Sequence, residues 1–361
     1  MSENHFAIIM AGGIGSRFWP SSTPDFPKQF HDMTGDGISL LQSTCGRLEN
    51  FIPTSNIFIV TQNRYQKIIL DQLGDKLSPD QVICEPDRRN TAPCTLLASL
   101  KIKKINPKAK IVICPSDHII VDEKLFGKDM ELALDHADDK NLITFGIRPD
   151  FPATGFGYVA VETDQSDSRL KKVITFTEKP DKTTAQRFID TQNYFWNSGI
   201  FVWSVTSVLE GFKTHAPGLY DLFDKGFHLL NTESEKAFIT ENYPLAENIS
   251  IDYALMEKSD HIFLIPARFD WDDLGSWKSI YDRQPKDAAK NAVVSAQLFA
   301  DTNAARNLIK TDSHKKVVIS GLEDFIIVDT KDVLMICPME KNQEVKDIAA
   351  NALKKFGQKE D

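Results

Sequence analysis

No apolar run in this chain approaches the roughly 18 residues needed to cross a membrane. The N-terminus also lacks a charged segment followed by a long apolar core, so neither a span nor a secretion signal is expected. Cysteine is scarce: five residues, at 45, 84, 94, 114 and 337, an odd number without paired spacing. That excludes a disulfide framework. Cys84 and Cys114 lie in apolar strand-like runs and read as buried thiols, which points to a reducing cytoplasm. Clusters of positive charge are absent too. Net charge is −9 and the basic residues are scattered, so no nucleic-acid partner is expected. An acidic chain can still bind an anionic nucleotide by concentrating a few cations, usually with a metal ion. With 42% hydrophobic and 26% charged residues over 361 positions, the composition is that of a soluble globular protein with room for one large and one smaller domain.

The most informative segment is Ala11-Gly12-Gly13-Ile14-Gly15-Ser16-Arg17-Phe18-Trp19-Pro20, closed by Pro27-Lys28-Gln29-Phe30. It follows the apolar run Phe6-Ala7-Ile8-Ile9-Met10, which reads as a buried first strand. Glycines after such a strand let backbone approach a ligand closely. Arg17 and Lys28 add two positive charges suited to a triphosphate; the competing reading is a plain glycine turn with both as solvated surface charges. A Walker loop is excluded because no Lys follows Gly15, and a dinucleotide fingerprint because Phe18 stands where its third glycine belongs.

Apolar runs at 6–10, 57–61, 82–84, 111–114 and 142–146 alternate with helix-like segments near 38–50, 63–74, 91–105 and 123–138. The alternation predicts a parallel sheet covered on both faces, with ligands at the carboxyl ends of its strands. The glycine loop, Glu85-Pro86 and Pro115-Ser116-Asp117-His118 all follow strands, which predicts a single cleft. From about 155, Tyr158–Val161 and Lys172–Phe176 suggest a more antiparallel region, and helices dominate 205–258. Beyond Asp287, short runs at 317–319, 325–328 and 333–336 suggest a small β-meander or β-helix, closed by an amphipathic helix over 343–356. The boundary falls near 285–290.

Asp117 emerges at a sheet edge, and Asp270, Asp272 and Asp273 crowd before Leu274-Gly275. One or two carboxylates plus substrate phosphates are a usual Mg²⁺ site; the competing reading of Asp117 is a helix N-cap. His118 has no partner at metal-ligand spacing and reads as structural. Glu178-Lys179-Pro180 offers a phosphate-binding cation beside a hydroxyl acceptor, or simply a charged surface turn. Phe195-Trp196-Asn197-Ser198-Gly199-Ile200-Phe201 sets polar residues among bulky apolar ones, as in a polyhydroxylated-ligand pocket or a capped turn between core strands. Thr91 reads as the N-cap of a helix whose first turn holds Pro93 and favours anions.

Taken together and in order, the blocks AGGIGSRFWP with PKQF, EPDRRNTAP, PSDH, TGFGYV, FTEKP, FWNSGIF, SIDYALMEK and DWDDLGSW, spanning residues 11 to 277, resemble the mannose-1-phosphate guanylyltransferases within the sugar-nucleotidyltransferases. Thr23 departs from the Arg that many bacterial relatives carry, and the chain is too short for the cupin isomerase domain of longer ones. The resemblance implies an α/β, Rossmann-like (GT-A-like) mixed sheet over 1–287, and a short left-handed β-helix-like domain with a closing helix over 288–361. It implies that mannose 1-phosphate attacks the α-phosphorus of GTP, giving GDP-mannose and diphosphate without a general base. Arg17 and Lys28 would be catalytic. Ala11, Gly12, Gly13, Gly15, Glu85, Arg89, Asn90 and Thr91 would border the nucleotide, and Gly157, Glu178, Lys179 and Asn197 the sugar phosphate. Asp117 and Asp273 would hold Mg²⁺, Asp273 being preferred to Asp272 for its spacing to Gly275. A cytoplasmic protein without membrane partners follows, and the β-rich tail is a candidate homodimer surface. Three alternatives stay open: another sugar or base, a silent regulatory homologue that binds nucleotide sugar, and a plain nucleotide-binding scaffold.

Overall fold

A computed structural model describes residues 1–163, 168–312 and 315–357. The chain divides into two compact units, each assembled from separated stretches. The first comprises Met1–Gly12, Thr44–Ser116 and Ile120–Trp271; the second comprises Gly13–Ser43, Asp117–Ile119 and Asp272–Asp361.

In the first unit the apolar runs become strands. These are β1 (His5–Met10), β2 (Ile57–Gln62), β3 (Val82–Glu85), β4 (Lys110–Pro115), β5 (Leu142–Ile147), β6 (Gly157–Val161), β7 (Lys171–Glu178), β8 (Tyr194–Ser204) and β9 (Ile262–Pro266). Among the described residues they form one sheet of order β3-β2-β1-β4-β8-β5-β9-β7-β6. β3, β2, β1 and β4 are mutually parallel, and β5 is parallel to β9. Every residue of β2 is buried, as expected of a strand covered on both faces. The helix Thr91–Ile105 is equally enclosed, with each residue from Ala92 to Ile102 buried.

The parallel order stops at β4. The sequence pattern places β5 in the same parallel set, but β8 lies between them and pairs antiparallel with both. β8 contains the Phe195–Phe201 segment, which is therefore a central strand rather than a turn between strands. Its pairing with β5 jumps from Thr144↔Phe201 to Gly146↔Asn197. The surplus residues on β8 bulge out at Gly199, whose φ of 70° is left-handed. A bulge re-aims the neighbouring side chain, here Asn197.

The second unit carries β10 (Ala292–Val294), β11 (Gln297–Ala300), β12 (Leu308–Thr311), β13 (Lys316–Ile319), β14 (Phe325–Asp329) and β15 (Leu334–Pro338). β10, β12 and β14 stack in parallel, as do β11 and β13, and β15 turns back antiparallel to β14. A meander would pair consecutive strands antiparallel, so the coils are those of a β-helix. Each coil opens on a left-handed residue: Lys290, Arg306 and Asp324, with φ of 64°, 57° and 59°. Asn291 and Asn307 follow the first two and form an internal ladder. Asn307 N donates to Asn291 Oδ1 at 3.0 Å, and Phe325 N to Asn307 Oδ1 at 2.9 Å. β10, β11 and β12 escape the sequence reading because each is only three or four residues long.

The core of this unit joins residues far apart in the chain. Phe18, Met33, Leu40, Leu274, Trp277 and Ile280 pack with Ala292, Leu308, Ile326, Val328 and Val345, all buried. Phe18 meets the Trp277 ring edge-on at 5.1 Å, and Trp277 Nε1 donates to the Trp19 carbonyl at 3.1 Å. The closing helix runs Val345–Phe356.

Candidate active site

Four sequence-predicted residues, Arg17, Lys28, Asp117 and Asp273, belong to the second unit. Gly15 turns the loop with φ +70°, and a Cβ there would lie 2.5 Å from Lys28 Cβ, so only glycine fits. Lys28 is 3% exposed. Its ammonium donates to Asp117 Oδ2 at 3.1 Å and to the carbonyls of Asp273 and Leu274, each at 2.8 Å. Three donors thus meet three acceptors, 5.2 Å above the Phe18 ring. Asp117 is not a helix cap, because the helix that follows begins at Glu123 and is capped by Asp122.

Burial would raise the Asp117 carboxyl, but the Lys28 ammonium, and after it His118, hold it below the usual carboxylate range. At Asp273 burial wins and pushes the carboxyl up to about 6 against the pull of Lys28, with Asp272 and Asp117 adding like charge. Asp272 is occupied otherwise: its Oδ1 accepts from Leu274 N at 2.7 Å and its Oδ2 from Arg283 Nε at 2.9 Å. Arg17 is exposed and acts on this group as a charge near Asp273. Among the described residues no three His, Cys, Asp or Glu side chains gather as a metal cage. Two carboxylates with hard oxygen donors fit Mg²⁺ completed by substrate phosphates.

The remaining candidates belong to the first unit, except Gly13 and Gly15, which lie in the second. Ala11 is tied to β2: its N donates to the Val60 carbonyl at 2.8 Å, and its carbonyl accepts from Thr61 Oγ1 at 2.9 Å. Glu85 ends β3 at 7% exposure, and its Oε1 accepts from the Tyr243 hydroxyl. Its Oε2 lies 3.7 Å from where a Cβ on Gly12 would stand. Burial pushes the Glu85 carboxyl up to about 7, against the Tyr243 hydrogen bond and the charge of Arg88. Arg89 is paired with Asp87 at 2.8 Å. The helix cap is Asn90, not Thr91: Asn90, with φ 64°, accepts from Thr91 N at 3.0 Å. Thr91 Oγ1 instead accepts from Ile251 N at 2.9 Å.

Glu85 gives a pH prediction. A carboxyl whose pKa is raised by folding stabilises the fold fully below its unfolded pKa, and that contribution is lost as pH rises through the folded value. Between the ordinary 4.5 and the folded value of about 7, the wild type should lose about 3 kcal/mol that Glu85→Gln does not. Denaturant titrations at the two pH values check this; parallel loss in both proteins would refute it.

A third group surrounds Lys179, whose φ of 49° is unusual for a residue with a side chain. Lys179 Nζ pairs with Glu178 Oε1 at 2.8 Å. Gly157 lies beneath: a Cβ there would stand 2.5 Å from Glu178 Oε2. Asn197 Nδ2 donates to Asp252 Oδ1 at 3.1 Å. Burial, and then the charge of Glu178, push the Asp252 carboxyl up to about 6. Sequence reasoning misses Asp252 and Tyr243. Asp252 sits inside the SIDYALMEK block, but a lone acid there looks like a solvated surface residue. Tyr243 carries no sequence signal. A separate cavity of about 820 Å³ runs along β3 between Gln81, Cys84, Lys101 and Glu235 and is lined by none of the predicted residues.

A mixed sheet that opens on a glycine loop, with a β-helix in the other unit, is the architecture of a sugar nucleotidyltransferase. Residues 6–290 match the Nucleotidyl transferase family and residues 301–351 the MannoseP isomerase/GMP-like beta-helix domain, so the chain belongs to the nucleotidyl transferase family. The chain is 34% identical over 344 residues to the alginate biosynthesis protein AlgA of Pseudomonas aeruginosa, covering 94% of this chain and 70% of that one. It is 34% identical over 358 residues to a mannose-1-phosphate guanylyltransferase of Escherichia coli, covering 96% and 75%. A crystal structure from Thermus thermophilus, described as a mannose-1-phosphate geranyltransferase, superposes with a TM-score of 0.86 at 25% identity, covering 97% of this chain and 99% of the other.

Proposed function

We propose that this chain catalyses GTP + α-D-mannose 1-phosphate → GDP-mannose + diphosphate. The observation that carries the reading is the buried Lys28 ammonium held against Asp117 and the Asp273–Leu274 carbonyls. Such a fixed cation beside two carboxylates suits a triphosphate. A phosphate oxygen of the sugar phosphate forms a new bond to the α-phosphorus as the bond to the β-phosphate oxygen breaks, and diphosphate leaves. The nucleophile is already an anion, so positioning and charge neutralisation do the work.

In this reading Arg17 and Lys28 neutralise the triphosphate and the departing diphosphate. Ala11, Gly12, Gly13 and Gly15 give close backbone approach, and Glu85, Arg89, Asn90 and Thr91 border guanine. Lys179 holds the sugar phosphate, while Gly157, Glu178 and Asn197 border the hexose. Asp117 and Asp273 would hold Mg²⁺, which when bound supplies further charge neutralisation on the phosphates. Residues 1–287 form the catalytic domain in this proposal, and 288–361 the β-helix-like domain with its closing helix. Among the described residues no helix is long and apolar enough to cross a membrane. The proposal places the chain in the cytoplasm, on the free cysteines, and includes no nucleic-acid or membrane partner. The exposed register pair Phe299 and Val318 supports a homodimer through the coils.

The test is diphosphate release by purified protein with Mg²⁺, GTP and mannose 1-phosphate, against ATP, UTP and glucose 1-phosphate. Release greatest with guanine and mannose is the expected result. A different preferred pair overturns the substrate assignment, and no release by folded protein overturns catalysis. Gly157→Ala is a finer check. The added methyl displaces Glu178, so KM for the sugar phosphate should rise by on the order of 10- to 100-fold while KM for GTP holds. An unchanged sugar-phosphate KM would remove Glu178 from the sugar site.

A further inference from the structure

The hexose group contains a hydrogen-bond relay whose far members have no role in the reading above. It starts at Thr144, a fully buried residue of β5. Thr144 Oγ1 carries one hydrogen and has two acceptors in reach, the Ile200 carbonyl at 3.1 Å and Asn197 Oδ1 at 2.9 Å, the nearer being Asn197 Oδ1. That same oxygen accepts from Gly199 N at 3.3 Å, inside the β8 bulge. With its oxygen so engaged, the amide must turn its nitrogen the other way, where Nδ2 donates to Asp252 Oδ1 at 3.1 Å. An amide nitrogen has two hydrogens, so one N–H remains to be donated in a fixed direction.

Asp252 opens the π-helical turn Asp252–Met256. Such turns insert a residue into a helix and are frequent at functional sites. Glu178, Asp252 and Glu257 form one acidic neighbourhood: the charge of Glu178 acts on Asp252, and Glu257 Oε1 accepts from Glu178 N at 3.3 Å. Lys179 is the cation that faces them. This excess of acceptors over cations repels a second phosphate and suits a ligand rich in hydroxyl donors.

We propose that Asp252 is a positioning residue for sugar selectivity. It fixes Asn197 so that the remaining N–H, together with the Glu178 carboxylate, reads the hydroxyl pattern of the hexose. The inference rests on the sugar-phosphate reading of this group and goes beyond it by naming what sets the preference among hexoses.

The test compares full-length wild type with Asp252→Ala, Asp252→Asn and Thr144→Val, measuring kcat and KM for GTP and for mannose and glucose 1-phosphates, with melting temperatures alongside. In Asp252→Ala the KM for the preferred sugar phosphate should rise ~10- to 100-fold and the preference between sugars should collapse. KM for GTP and kcat should stay within about threefold. Asp252→Asn can still accept from Asn197 and should recover most of the preference. Thr144→Val releases the amide from the opposite end and should weaken the preference in the same direction. A merely structural Asp252 would instead lower kcat and the melting temperature while leaving the sugar preference intact, and that result overturns the proposal. Calorimetric binding of the two sugar phosphates and their nucleotide sugars gives the same ratios without turnover. Failure of mannose as the preferred sugar is thus separable from failure of the relay, which is read on whichever sugar the wild type selects.

Discussion

Lys28→Ala is expected to lower turnover at least ~100-fold and to destabilise the protein by about 3–5 kcal/mol in the same step. The two effects share one origin. Lys28 is 3% exposed, and its ammonium is the common donor to the Asp117 carboxylate and to two carbonyls. Its removal leaves the Asp117 charge uncompensated and takes a donor from the Asp273 and Leu274 carbonyls, and it withdraws the fixed cation that the proposed function sets against the phosphates. Lys28→Met separates the contributions, since it keeps the apolar stem that packs near Phe18 and loses only the charge. Both variants should lose turnover, and the methionine variant should recover part of the stability in denaturant titrations. Asp117→Ala should lose turnover similarly. Near-normal turnover in a folded Lys28 variant would remove this residue from the mechanism.

The second large effect is expected from deleting residues 288–361. A boundary near 287 looks like a natural place to cut, because the transferase match ends at 290 and the β-helix match begins at 301. The core of the second unit says otherwise. Phe18, Met33, Leu40, Leu274, Trp277 and Ile280 are buried against Ala292, Leu308, Ile326, Val328 and Val345. Deletion would expose those large side chains, a loss on the order of 10 kcal/mol and comparable to the whole stability of a domain. The truncated protein should show no diphosphate release and rapid proteolytic cleavage between residues 13 and 43. The sheet of the first unit, which takes no strand from 288–361, should persist. Retained turnover in the truncated chain would show that the coils are dispensable to the loop.

How much of this is legible in the sequence depends on the range of the interactions. β1 to β4 are readable because strands buried on both faces must be continuous apolar runs. Lys28, Asp117 and Asp273 are readable because their blocks have a restrictive pattern and order. β8 is harder: Asn197, Ser198 and Gly199 interrupt its apolar run, and only pairing with strands on both sides holds them extended. The joining of Phe18 and Trp277 to Val345 leaves no local trace, since packing between distant residues imposes no periodicity. Asn90 displaces Thr91 as cap because a left-handed residue before the helix cannot be told from composition. Tyr243 and Asp252 are single polar side chains whose meaning comes entirely from Glu85 and Asn197, each over a hundred or some fifty positions away in the chain.

The discontinuous second unit bears on when the protein becomes competent during synthesis. Phe18 of the glycine loop and Val345 of its core lie some three hundred positions apart in the chain. Loop closure over such a separation cannot begin until the coils have emerged. In the nascent chain Gly13–Ser43 therefore lacks the coil side of its core until those coils have been made. A ribosome stalled anywhere before the final coil holds a chain whose glycine loop has not yet acquired that part of its core.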